Sequence, residues 1–160
     1  MSIWWSLHLR REAASVPLAR RLLLGAMETA GVDPDICYDL SVALSEACAN
    51  AVEHGGDATD DYRVTAYIDG ETCRIEVTDS GPGFDRPTPP HTAADRALPP
   101  VPAPAPAQAP GYAEDGRGLF LIEALTDHVQ YRNRAGSTGA VVSFDKILKW
   151  REGAALPMAS

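Results

Sequence analysis

Between Pro87 and Pro110 the chain holds nine of its thirteen prolines. A residue with no amide proton and φ fixed at about −65° cannot extend a helix or join the middle of a sheet. The run Pro-Pro-Val-Pro-Ala-Pro-Ala-Pro-Ala-Gln-Ala-Pro that closes this interval favours extended polyproline geometry and supplies no core. The packed part must therefore come from the residues on either side. So long a structureless insertion in a chain of 160 residues reads as a mobile lid or a disordered loop. A ligand for a proline-recognition domain is the other reading of the same residues.

Before the insertion, Ile3 to Leu9 suits a first strand. Ser15 with Val16-Pro17 reads as a helix start with a capping hydroxyl. Leu18, Leu22, Leu23 and Met27 carry that helix to Gly31, and Arg10, Arg11, Arg20 and Arg21 are assigned to its polar side. The basic cluster is read as a solvated face, with a dock for an acidic partner as the sharper option. Asp33-Pro34 caps a second helix that ends at His54-Gly55-Gly56. At about 100° per residue, Ile36, Leu40, Ala43, Leu44, Ala47, Cys48 and Ala51 form one apolar arc, with Glu46, Asn50 and His54 along its edge. Tyr62 to Ile68 and Thr72 to Val77 alternate about the turn Asp69-Gly70, the pattern of a hairpin. After the insertion come a helix, Leu119 to Leu125, and two strands, Val129 to Arg132 and Val141 to Phe144.

With 45% hydrophobic residues, the chain suits one domain with one core. We place this domain at residues 1–146, with its insertion at 87–110 and a tail at 147–160. A formal charge of -8 repels nucleic acid and anionic membranes, so neither is expected as a direct partner. Cys37, Cys48 and Cys73 form no C-x-x-C pair. They are expected to be reduced and buried, without a zinc site, in a cytoplasmic protein. No stretch has the length and apolarity of a membrane-spanning helix.

Three short patterns carry chemistry. Glu46 and Asn50, four apart on a helix, project side by side, so a proton acceptor lies next to a neutral oxygen donor of the kind Mg²⁺ takes. Asp79, at a strand end, accepts a hydrogen bond from the exocyclic amine of adenine, and guanine offers none there. Gly81 and Gly83 let the backbone approach the base. Gly116-Arg117-Gly118 opens a helix whose free amides and dipole favour phosphate, and Arg117 is a candidate to neutralise the outer phosphate. Each pattern alone has an ordinary reading: a solvated Glu and Asn, a turn, a loop. Their order and placement together point to a magnesium–adenine nucleotide.

The stretch Ser45-Glu46-Ala47-Cys48-Ala49-Asn50-Ala51-Val52-Glu53-His54-Gly55 resembles the N box of the GHKL superfamily of ATP-binding domains, which includes gyrases, heat-shock chaperones, histidine kinases and mismatch-repair proteins. Asp79 to Gly83 and Gly116 to Gly118 resemble its first two glycine boxes. Within the superfamily the Ser-Glu-Ala start, the size and the Leu18-Ala19-Arg20-Arg21-Leu22 helix are most similar to bacterial anti-sigma factor serine/threonine kinases. The resemblance implies an α/β two-layer sandwich, its sheet mixed and mostly antiparallel with helices on one face. It implies ATP and Mg²⁺, a sigma factor and an anti-anti-sigma protein as partners, and a homodimer. It also implies roles: Glu46 as general base toward a partner serine, Asn50 as metal ligand, Asp79 as adenine contact, and the glycines as hinge and lid ends. His54 is read as a helix-end residue. Two departures stand out: Gly139 is followed by Ala140 where the family has threonine, and the insertion is long and proline-rich. The alternative function is an ATP-binding regulatory module that sequesters a protein without transferring phosphate.

Overall fold

The computed structural model describes residues 2–54, 61–79, 92, 119–133 and 139–150, with the backbone alone at His54. In chain order the elements are β1 (Ser2–Arg10), α1 (Ser15–Ala30), α2 (Pro34–His54), β2 (Asp61–Asp69), β3 (Thr72–Asp79), β4 (His128–Asn133) and β5 (Ala140–Ile147). Residues 119–125 are also helical.

The strands form one sheet in the order β1-β2-β3-β5-β4. The sheet expected to be mixed and mostly antiparallel is antiparallel in all four described pairings. Alternation fixes its two faces. Tyr62, Val64, Ala66 and Ile68 of β2 are buried, as are Cys73, Ile75 and Val77 of β3, while the residues between them are exposed or half-buried. The buried face meets the helices: Ala19, Leu23 and Met27 of α1 join Leu40, Ala43, Leu44, Ala47, Cys48 and Ala51 of α2 in one core with it. Helices thus cover one side of the sheet, as expected.

Local chemistry sets the ends of the elements. Asp33 Oδ1 accepts the amide of Asp35 at 2.8 Å, the expected cap of α2, with Pro34 in the first helical position. Gly31 closes α1 with φ 90°, a left-handed conformation in which its amide reaches the carbonyls of Met27 and Glu28. Gly70, φ 65°, turns β2 into β3.

Three expectations need correction. Ser15 does not cap α1: Ala14 holds that position without a side-chain bond, and the Ser15 hydroxyl donates to the carbonyl of Glu12 at 2.8 Å and meets Tyr62 Oη at 2.6 Å. Arg10 and Arg11 are not on the polar side of α1, because Arg10 ends β1 and Arg11 lies in the turn that follows. The tail expected from residue 147 begins inside packed structure. Leu148 is buried and its amide bonds to the carbonyl of Glu71, the amide of Asp33 bonds to the carbonyl of Lys149, and Trp150 bridges to Val32.

Candidate functional site

Glu46 and Asn50 sit one turn apart on α2, both half-buried between its core arc and solvent. α2 packs on β3. Asp79 is the last residue of β3 and shares the helix-side parity of Cys73, Ile75 and Val77. It is half-buried and pairs with Ala140 at the start of β5.

Register shows which end of the sheet this is. Arg63 pairs with Thr78, so Asp79 lies one residue further, at the end where β2 begins with Asp61 and Tyr62 and where β1 finishes with Arg10. The C-terminal half of α2 is tied to that same end. Arg11 Nη2 donates to the carbonyl of Val52 at 3.3 Å, and Tyr62 and Cys48 are buried in the same core. On the other side of the sheet, Asn133 of β4 pairs with Ala140. Nearby on β4, the Tyr131 hydroxyl donates to the carbonyl of Leu119 at 3.2 Å, fixing the start of the helical segment 119–125 at this end too. The second helical turn supplies Glu123, 1% exposed, whose Oε2 lies 3.3 Å from the Tyr131 hydroxyl.

The N-box pair, the end of β3 and the helix entry after Gly118 therefore gather at one edge of the sheet, on its helix side. Gly81, Gly83, Gly116, Arg117 and Gly118 themselves lie outside the described residues, as do the expected insertion but for Thr92, and the side chain of His54. Gly139, φ 139°, precedes Ala140 at this same edge.

The Asn50 carboxamide oxygen is a hard neutral donor of the kind Mg²⁺ accepts, with the remaining positions left to phosphate and water. Among the described residues no three His, Cys, Asp or Glu side chains converge as a metal cage.

A buried polar relay underlies α2. Burial pushes the Cys48 thiol up to about 12, against the opposing hydrogen bond from Tyr62. Tyr62 is raised as well, first by burial and then by the charge Cys48 would carry. Ser15 has one proton and gives it to Glu12, so Tyr62 donates to Ser15. All three cysteines are buried, as expected. Sequence reasoning missed this relay, Arg11 and Glu123. The only available signals were a tyrosine opening a strand, an arginine just past one, and a glutamate in the arc of an apolar helix.

Comparison with known proteins gives the lineage. Residues 9–146 match the histidine kinase-like ATPase domain. The serine-protein kinase RsbW of Halalkalibacterium halodurans is 30% identical over 129 residues, covering 81% of this chain and 75% of that protein. RsbW of Bacillus subtilis is 30% identical over 140 residues, 81% of this chain and 78% of that one. RsbW of Listeria monocytogenes is 32% identical over 127 residues, 78% and 76% respectively. A solved structure of the RsbU and RsbW domains of a Mycobacterium tuberculosis protein shares the fold, with a TM-score of 0.64 at 20% identity over 93% of this chain. The chain spans 33% of that longer protein. With its three nucleotide motifs in order, its helix-covered antiparallel sheet and these matches, the chain belongs to the histidine kinase-like ATPase family, alongside the RsbW serine-protein kinases.

Proposed function

We propose that the protein is an ATP-dependent anti-sigma factor that holds a sigma factor and is released by phosphorylating a serine of an anti-anti-sigma protein. The observation that carries this reading is the gathering of Glu46, Asn50, Asp79 and the helix entry at residue 119 along one edge of the sheet. The name of the RsbW relatives supports the reaction class.

In this reading ATP is the phosphoryl donor. Asp79 accepts from the adenine amine and selects the base. The amides at Gly116 to Gly118 receive phosphate, with Arg117 beside its outer charge, and Gly81 and Gly83 let the backbone close on the base. Glu46 takes the proton of the partner's serine hydroxyl. The hydroxyl oxygen bonds to the γ-phosphorus as the bond to the β-phosphate oxygen breaks, giving phosphoserine and ADP. Asn50 holds Mg²⁺, which when bound neutralises phosphate charge. Positioning and charge neutralisation supply most of the rate in such transfers.

Among the described residues no helix is long and apolar enough to cross a membrane, in keeping with action on transcription in the cytoplasm. The homodimer is assigned to the helix-free face of the sheet. There Trp4 and Tyr67 form an exposed cross-strand pair, and Arg63, Arg74 and Arg132 are balanced by Asp69, Glu76 and Asp145, so the face can meet a second copy of itself.

Incubation with labelled ATP, Mg²⁺ and an anti-anti-sigma protein tests the assignment. Phosphate on a partner serine, lost in Glu46→Ala, supports it. Tight ATP binding without transfer supports the regulatory-module alternative.

A further inference from the structure

We infer that Arg11 is a positioning residue for Asn50: from the turn after β1 it holds the last turn of α2, and so sets where the carboxamide stands. The inference rests on the assignment of Asn50 to the nucleotide's metal. The last four carbonyls of any helix have no donor within it, and in α2, which ends at His54, Val52 carries one of them. The Arg11 guanidinium supplies the missing donor at 3.3 Å from 41 residues away, and its charge complements the negative end of the helix dipole.

Val52 is two residues beyond Asn50. Two residues before Asn50, Cys48 is buried in the same core as Tyr62, whose hydroxyl lies 2.6 Å from Ser15 Oγ, itself bonded to the carbonyl of Glu12. The short connection from Arg11 to Ser15 therefore grips α2 on both sides of Asn50. A helix end held only by its own hydrogen bonds frays, whereas a neutral oxygen ligand contributes to metal binding only if its place is fixed. Removing such outer support commonly lowers metal affinity by about 10- to 100-fold.

The test uses the full chain with Arg11→Ala and Arg11→Lys. A fluorescent ATP analogue is titrated with and without Mg²⁺, and amide hydrogen exchange is followed over residues 50–53 without nucleotide. In Arg11→Ala the Mg²⁺-dependent gain in affinity falls by about tenfold, metal-free binding stays within about twofold, and exchange in the last turn of α2 speeds up. Arg11→Lys, which keeps a cationic donor, recovers part of both readouts. It carries the test alone if the alanine variant does not fold, through an Mg²⁺-dependent gain lowered by about threefold. An unchanged Mg²⁺-dependent gain in folded variants, equal losses with and without metal, or unaltered exchange overturns the role of Arg11 alone. A wild-type protein that binds no nucleotide in an Mg²⁺-dependent way overturns the assignment of the site, and this inference with it.

Discussion

In the proposed reading, Glu46 bears the difference between a kinase and a binding module. A half-buried carboxylate on a rigid helix can take a serine proton but contributes little to holding ATP. Glu46→Gln keeps the size and hydrogen bonding of the side chain and removes its basicity. It should lower labelled-phosphate transfer by about 10²- to 10⁴-fold, while calorimetric titration shows ATP affinity nearly unchanged. A parallel fall in both would make Glu46 a binding residue. The buried thiols predict a pH response of their own. Cys48 and Cys73 ionise at about 9 when unfolded, but burial holds each protonated up to about 12 in the folded chain, with Asp145 adding to the effect at Cys73. Between those values the native state binds more protons than the unfolded one. Stability is therefore constant below the window and falls as pH rises through it, by about 1.4 kcal/mol per pH unit for each thiol. Urea midpoints measured from pH 8 to about pH 10.5 should show this decline, and Cys73→Ala should make it about half as steep.

At the scale of elements, the hairpin of β2 and β3 offers the cleanest test. Gly70 has φ 65°, and nothing lies within 4 Å of where a Cβ would stand, so a side chain fits in space but not in conformation. Gly70→Ala should destabilise by about 1–2 kcal/mol in urea unfolding. Gly70→Asn should lose less, because asparagine tolerates left-handed backbone; equal losses would point to packing instead. This hairpin was legible in the sequence because its signals are local: alternation on both sides of Asp69-Gly70. The same holds for α2, where Asp33, Pro34 and the apolar arc lie within one segment, and for Asp79, which alternation carries to the end of its strand. Ser15 was misread because its hydroxyl serves a tyrosine 47 residues away. Arg11 was read as one of a charge cluster because its acceptor is a backbone carbonyl, which no sequence pattern marks. The adjacency of β3 and β5 was likewise not legible, since it spans the proline-rich insertion and no turn joins the two strands.

For the whole molecule the issue is what covers the second face of the sheet. The helices use one side, and on the other Trp4 is 62% exposed, Tyr67 38% and Ile147 56%. Large apolar side chains grouped on one face are unusual for a surface that meets only water. Some charges on the face are paired within it, Arg132 with Glu76 at 3.3 Å and Arg74 with Asp145 at 4.0 Å, and His128 Nδ1 lies 2.9 Å from Asp145 Oδ1. A face with apolar side chains and charges of both signs can meet a second copy of itself about a two-fold axis. Two opposing effects would set the strength of the proposed dimer. Burial of the aromatic pair favours association, while each chain brings a net charge of -8, whose repulsion reaches across the interface at low ionic strength and is screened over about 10 Å at 0.1 M salt. Sedimentation should therefore show a dimer that tightens from low to moderate salt, the reverse of an interface held by ion pairs. Trp4→Arg puts an unpaired charge into the exposed aromatic pair of that face, and should shift the protein to monomer at the same concentration with its circular dichroism unchanged. A variant that remains dimeric would move the interface elsewhere on the molecule and leave the aromatic face free for a different partner.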